Sequence, residues 1–423
     1  MDRRVIAACL TGAFLIAARA GALDWNTDWN TPDTVVDAAI AAAPSLREID
    51  ARIAAARARV AGAGTMPNPM LMAGVQNRQI DLSSDPMTMY VVGASQTFVR
   101  RDRRETLQRA AALDIQQLER EREVRVAEVR RDVLIAYDEA AAAANQIAAN
   151  EEIATLVAST GDAARIRYET GFAPQIDIIR AKLEETNVRH AILMQRGALQ
   201  QARARLRALL SIPVDTEIPS FALSHSMEHH GGAVSVATAQ AAPSTAVAEA
   251  AAARAEAEIR MAKLIAKPDV NLEASYGFRP QQKDMFSVVA RIELPVRRTV
   301  IEPRIAQATA EHDAALAQID VVRQQLQVEL GKAIAQRDEA IEQINLHVDL
   351  LVPEAKLGFD SALGSYQSGK TSFDAVIGAL QTYRSLRVDY YDFLRQLLVA
   401  EALIDAIQHG STSTVVPEMG GAR

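Results

Sequence analysis

Two stretches late in the chain alternate strictly between apolar and polar side chains. Val270, Leu272, Ala274, Tyr276 and Phe278 interleave with Asn271, Glu273, Ser275, Gly277 and Arg279. After the polar run 280–284, Phe286, Val288, Ala290, Ile292 and Leu294 face one way, and Ser287, Val289, Arg291 and Glu293 the other. The first half carries a matching pair. From Thr88 to Phe98, Tyr90, Val92, Ala94 and Phe98 oppose Met89, Gly93, Ser95 and Thr97, and the helical period is already absent from Met70 to Ile80. Period two predicts strands, here about 70–80, 88–98, 269–279 and 285–295. Such alternation over about ten residues suits a membrane barrel strand, apolar to lipid and polar to the lumen. An ordinary hairpin packed on helices is the plainer alternative for each pair taken alone.

Between the hairpins the period becomes helical, over about 33–64, 100–167, 174–211, 244–266, 299–366 and 372–408. Residues 100–167 contain no proline, and Gly161 is their only glycine. At 1.5 Å per residue that is roughly 100 Å of helix. Val126, Val129, Val133 and Tyr137 form a narrow apolar stripe, as do Ile319, Val322, Leu326 and Leu330, which suits coiled-coil packing. Each long helix reverses near a glycine, Gly171 or Gly369. Tyr168 and Tyr366, Gly171 and Gly369, and Ala181 and Ala379 share one offset of 198 residues. A constant offset over half the chain signals an internal repeat. The expected layout is a first repeat over 23–212, a linker over 213–243, a second repeat over 244–409 and a tail over 410–423. Four strands cannot close a barrel, and an open edge in lipid leaves backbone groups unsatisfied, so several chains must share one barrel. The strand count alone leaves a dimer, a trimer or more open.

The N-terminus reads as an export signal over 1–22. Asp2-Arg3-Arg4 precedes an apolar stretch from Val5 to Ala18, and Ala18-Arg19-Ala20 and Ala20-Gly21-Ala22 both fit small-x-small cleavage. Cys9, the only cysteine, falls in that segment, so the mature chain has neither disulfides nor a thiolate nucleophile. Aromatic residues make up only 4% of 423, and alanine is interleaved with charged helix formers, which favours long helices over a large globular core. A net charge of −7 gives no reason to expect nucleic acid binding. No phosphate loop, dinucleotide fingerprint, His-Glu-x-x-His or nucleophile elbow is present, so neither an enzyme nor a cofactor is expected.

Four local features appear in a distinctive order: Pro67-Asn-Pro-Met-Leu71, Ser95-Gln-Thr-Phe98, Leu206-Arg-Ala-Leu-Leu-Ser-Ile-Pro213 and the two Tyr-x-x-Gly turns. Together they resemble the TolC-type outer-membrane efflux family over essentially the whole mature chain. The resemblance implies a mainly helical protein with four transmembrane strands per chain. A homotrimer would close a twelve-stranded barrel and extend it as a periplasmic α-barrel. Its partners would be outer-membrane lipid, a periplasmic adaptor and an RND-type inner-membrane pump, and its location a Gram-negative outer membrane. It also implies a periplasmic gate built from Tyr168, Gly171, Asp177, Tyr366, Gly369 and Asp374, with Asp177 and Tyr366 as latch partners and Asp374 adding negative charge to the aperture. The chain departs from the family at Ser211, where glycine is common, at Arg100-Arg-Asp-Arg-Arg104, which replaces a Pro/Gly turn, and at Ala375, which aligns with Asp177.

Glu273, Arg291 and Glu293 are expected to line the lumen. His225, Met227, His229 and His230 cluster in the linker, and Met66, Met70, Met72, Met87 and Met89 crowd the first hairpin. Imidazole and thioether ligands suit heavy metals, which points to the metal-efflux branch of the family. The alternatives are a multidrug or secretion duct of the same fold and, in another class, a coiled-coil adaptor or scaffold. Packing of the turns, solubility of the inner wall, incidental linker histidines and methionines that simply face lipid are the bland readings of the same residues.

Overall fold

A computed structural model describes residues 29, 31–78, 87–219, 242–280, 282–294 and 298–408. The export signal, most of the linker with its histidine cluster, and the C-terminal tail lie outside the described residues. The chain divides into two compact units, and the two repeats contribute to both. One comprises residues 45–128, 231–337 and 400–423, and the other residues 1–44, 129–230 and 338–399.

The first of these units contains the strands. These are β1 (Met70–Gln76), β2 (Met89–Phe98), β3 (Val270–Phe278) and β4 (Met285–Ile292), in one antiparallel sheet of that order. Its middle pairing, β2 on β3, joins the two repeats. The register aligns the apolar sets: Tyr90 faces Phe278, Val92 faces Tyr276, and Tyr276 faces Phe286. All of them point to one side, together with Leu71 and Val75 of β1. That side is uncovered, with Leu71 at 85% and Phe286 at 71% exposure. Burying a large apolar side chain is worth about 1.5–3 kcal/mol, so a face of a dozen such residues demands a cover. Gln96 is the one polar side chain on this face, and it donates to the carbonyl of Pro67 at 2.8 Å. Among the described residues, β1 and β4 each pair on one side only, leaving two open edges.

In the same unit, α2 (Pro44–Gly62), α5 (Pro243–Leu264) and parts of three longer helices pack through small cores. Ala248 and Ala252 meet Ile319, and Leu326, Leu330 and Ala333 meet Ala242 and Ile404. The arginine run at 100–104 leads directly into α3 (Arg101–Glu169). There the Arg100 backbone N–H donates to Asp269 Oδ1 at 3.1 Å, and the Arg103 guanidinium donates to Oδ2 at 2.6 Å. This clamps the entry of β3 to the start of α3. The Arg100 guanidinium, with Lys267 and the Arg103 N–H, holds the Asp102 carboxyl down at about 2.

The other unit is helical. It holds α1 (Pro32–Ala42), the later part of α3, α4 (Gln175–Leu209), the end of α6 (Arg298–Leu346), α7 (Val352–Gln367) and most of α8 (Phe373–Gln408). Two helices expected as single pieces are divided. The 33–64 helix breaks between α1 and α2 because Pro44 pushes Ala43 into an extended conformation, with ψ 119°. The 299–366 helix is interrupted by a π-helical turn, His347–Leu351, where the Val352 N–H reaches back to the His347 carbonyl. Pro353 has no N–H to continue the ordinary ladder, and the wider turn absorbs that loss.

Four helices of this unit share one core. Ile153, Val157 and Ala164 come from α3, Ala181 and Val188 from α4, Phe359 and Tyr366 from α7, and Phe373, Val376, Leu380 and Tyr383 from α8. No helix among the described residues is long and apolar enough to cross a membrane.

Candidate functional site

The two helical turns close in the same way. Gly171 and Gly369 take left-handed backbone with φ of 80° and 79°. The Gly171 N–H donates to Tyr168 O at 3.0 Å and the Phe172 N–H to Arg167 O at 2.8 Å. In the second copy, Gly369 donates to Tyr366 O at 2.9 Å and Lys370 to Ser365 O at 2.8 Å. This is the Schellman pairing, in which a left-handed residue lets two amides return to the last helical carbonyls. Glycine adopts that backbone without the Cβ penalty.

The side chains around the turns differ. Tyr366 is 3% exposed, and its hydroxyl donates to Asp177 Oδ2 at 2.9 Å. Its pKa is pushed up to about 12, first by burial and then by the bond to Asp177. Asp177 sits in the first turn of α4, 6% exposed. Arg167, near the end of α3, stacks over the Tyr366 ring at 4.8 Å. It donates to the carbonyls of Tyr366, Gln367 and Phe172. The second turn is therefore strapped to both helices of the first. Tyr168, its counterpart, is 44% exposed.

Asp374, with its side chain 64% exposed, forms an ion pair with Arg180 of α4. The sequence reading missed a second acid. Glu184 lies two turns beyond Asp177 on the same buried face, with its side chain 2% exposed. Its Oε1 accepts from Arg384 at 2.7 Å and its Oε2 from Gln381 at 2.7 Å, both on α8. The signal was present: Asp177, Ala181, Glu184 and Val188 step along one helical stripe, and two of the four are acids.

On the sheet, the side opposite the apolar face carries Asn271, Glu273, Ser275, Ser287 and Arg291. Glu273, 8% exposed, is bonded to Arg291 at 2.6 Å. Glu293 follows the end of β4 and is exposed. Met70, Met72, Met89 and Met285 also fall on this side by register, away from the Tyr and Phe face. The Met89 thioether lies over Gly277, where any Cβ would collide with it, and the Met72 methyl lies close to Gly93, where a Cβ would first meet the Ala274 carbonyl and Ser275 Cβ at 2.9 Å. The proposed ligands His225, Met227, His229 and His230 lie outside the described residues. Among those described, no group of three or more His, Cys, Asp or Glu could hold a metal ion.

A mainly helical chain with one four-stranded sheet, a bare apolar sheet face and two glycine-closed helical turns is a fold found in several solved outer-membrane channels. Solved structures agree. The fold is similar to CusC, with TM-score 0.78 and 17% identity over 89% of this chain and 92% of that one. It is similar to a membrane protein from Pseudomonas aeruginosa, at 0.79 and 19% over 89% and 90%. It also resembles the outer membrane protein VceC from Vibrio cholerae, at 0.75 and 18% over 89% and 96%. No curated protein matches the chain in sequence. Residues 35–211 match the outer membrane efflux protein family.

Proposed function

We propose that the chain is one third of a trimeric exit duct in the outer membrane of a Gram-negative bacterium, with residues 1–22 removed on export. The observation that carries this reading is the sheet, with one apolar face bare and both edges unpaired. Three such sheets joined edge to edge give twelve strands, which removes every edge and turns the apolar faces toward lipid. Glu273, Arg291 and Glu293 then face water inside. The strapped turns form the periplasmic mouth, where Asp177 and Tyr366 act as a latch. A periplasmic adaptor and an RND-type pump deliver cargo and supply the energy.

Heavy-metal cations are the favoured cargo. Four methionines share the water-facing side of the sheet, and neutral thioethers favour soft ions over hard ones. A strain lacking only this protein tests the assignment against a panel of copper, silver, zinc, cobalt and several drugs. Selective metal sensitivity, restored by the wild-type chain but not by one with Met70, Met72, Met89 and Met285 changed to Leu, is expected. Drug sensitivity with unchanged metal tolerance would reassign the cargo. A chain released from membranes without detergent would overturn the duct itself.

A further inference from the structure

We infer that Glu184, Arg384 and Gln381 form a second and deeper lock of the gate, one whose charge lets a buried seam reopen. The inference rests on the reading of the helical turns as a gate. Glu184 belongs to the first repeat, and both donors belong to the second. The three residues therefore join the same two helical hairpins as the Asp177–Tyr366 bond, two turns deeper along α4.

The surroundings make this position unusual. Ala181 and Val188 flank Glu184 on α4, and Leu380 and Tyr383 flank its donors on α8, all in one apolar core. Asn187 Nδ2, at 3.4 Å from Glu184 Oε2, is the third polar group on the carboxylate. Arg384 retains 25% exposure while Glu184 keeps 2%, so water reaches the pair from the arginine side. A buried ion pair is a poor device for stability, because desolvation cancels most of the attraction and apolar residues of similar size often do as well or better. Its advantage appears when the seam parts. Exposed leucines are penalised by water, whereas an exposed carboxylate and guanidinium recover their hydration. An ion pair at this depth holds the hairpins together and still permits separation.

Opposite responses to two kinds of substitution follow, and a purely structural role does not give them. Glu184→Gln leaves Arg384 without its counter-charge and should raise the open probability of the reconstituted full-length trimer in planar bilayers. The expected rise is roughly 5–150-fold, the span of ordinary coupling between sites. Glu184→Leu with Arg384→Leu should seal the seam, giving fewer openings than wild type with equal or greater resistance to heat. Gln381→Leu, which keeps the charges, provides a milder opening variant if Glu184→Gln fails to assemble. Tyr366→Phe serves as the gate control. Wild-type openings in all the Glu184, Arg384 and Gln381 variants, beside increased openings in Tyr366→Phe, would overturn the second lock and leave the gate standing. Wild-type openings in every variant, Tyr366→Phe included, would remove the gate and the lock together.

Discussion

The two helical turns are copies in backbone and opposites in side chain. Each closes on a left-handed glycine with the same pair of returning amides. Around that shared frame, the first repeat supplies acids, Asp177 and Glu184, and the second supplies donors, Tyr366, Gln381 and Arg384. At the matching positions 198 residues away, Tyr168 is exposed, Ala375 replaces the aspartate and Thr186 replaces the arginine. Duplication preserved what the backbone needs to turn. At the Asp177–Tyr366 and Glu184–Arg384 contacts, divergence placed the acid in one copy and the donors in the other.

The largest expected effect breaks that complementarity at Glu184. Arg384→Ala leaves a carboxylate buried without its counter-charge, which typically costs about 3–5 kcal/mol. Thr186 is exposed and bonds only within its own helix, to Lys182 O at 2.9 Å. Thr186→Ala should stay within about 0.5 kcal/mol. Amide hydrogen exchange across α4 and α8 reads the local opening free energy directly. Equal protection in the two variants would show that the repeats are not differentiated at this level.

Next comes the tyrosine pair. Tyr366→Phe removes a donor from a buried carboxylate and should cost about 1–3 kcal/mol at the turn. Tyr168→Phe should be close to neutral by the same exchange measurement. Comparable losses would mean that Tyr168 makes contacts in the assembly equivalent to those of Tyr366.

The glycines sharpen the symmetric half of the comparison. Alanine at either position must enter left-handed backbone, at about 1–2 kcal/mol. Space adds nothing further. A Cβ on Gly171 would meet nothing within 4 Å, and on Gly369 only the Arg167 guanidinium at 3.5 Å. Equal losses are therefore expected from Gly171→Ala and Gly369→Ala, even though the side chains around them differ so much.

Much of this comparison was legible in the sequence. Alternation located three of the strands within a few residues, because a sheet with one apolar face leaves a period-two record, and the loss of helical period after Pro69 located the first. The repeat offset and the two glycines located the turns. The latch pair entered through family resemblance, and nothing in their spacing required Tyr366 to meet Asp177 across 189 residues. Glu184 escaped because a glutamate in a charged helix reads as a solvated face until its neighbours across the seam are known. The Arg180 partner of Asp374 escaped for the same reason, since it comes from the other repeat. The breaks at Pro44 and Pro353 show a further limit. Proline announces an interruption, but the response, an extended link in one case and a π turn in the other, depends on packing.

The smallest effect concerns pH and isolates Tyr366 from everything else in the turn. Its pKa is raised from the ordinary value near 10 to about 12, with burial as the larger cause and Asp177 the smaller. For a group so raised, the stabilising contribution is fully present below the ordinary value and disappears as the pH rises through the folded one. The phenol should therefore leave the turn unchanged from about pH 6 to pH 9 and weaken it only between about 10 and 12. Tyrosinate absorbance followed with amide exchange should show a late step that Tyr366→Phe lacks. Asp177→Asn should move that step down without returning it to 10, because the carboxylate charge is lost while burial of the ring remains. A return all the way to 10 would make the carboxylate the dominant cause, and the latch would then be held by charge more than by the core around it.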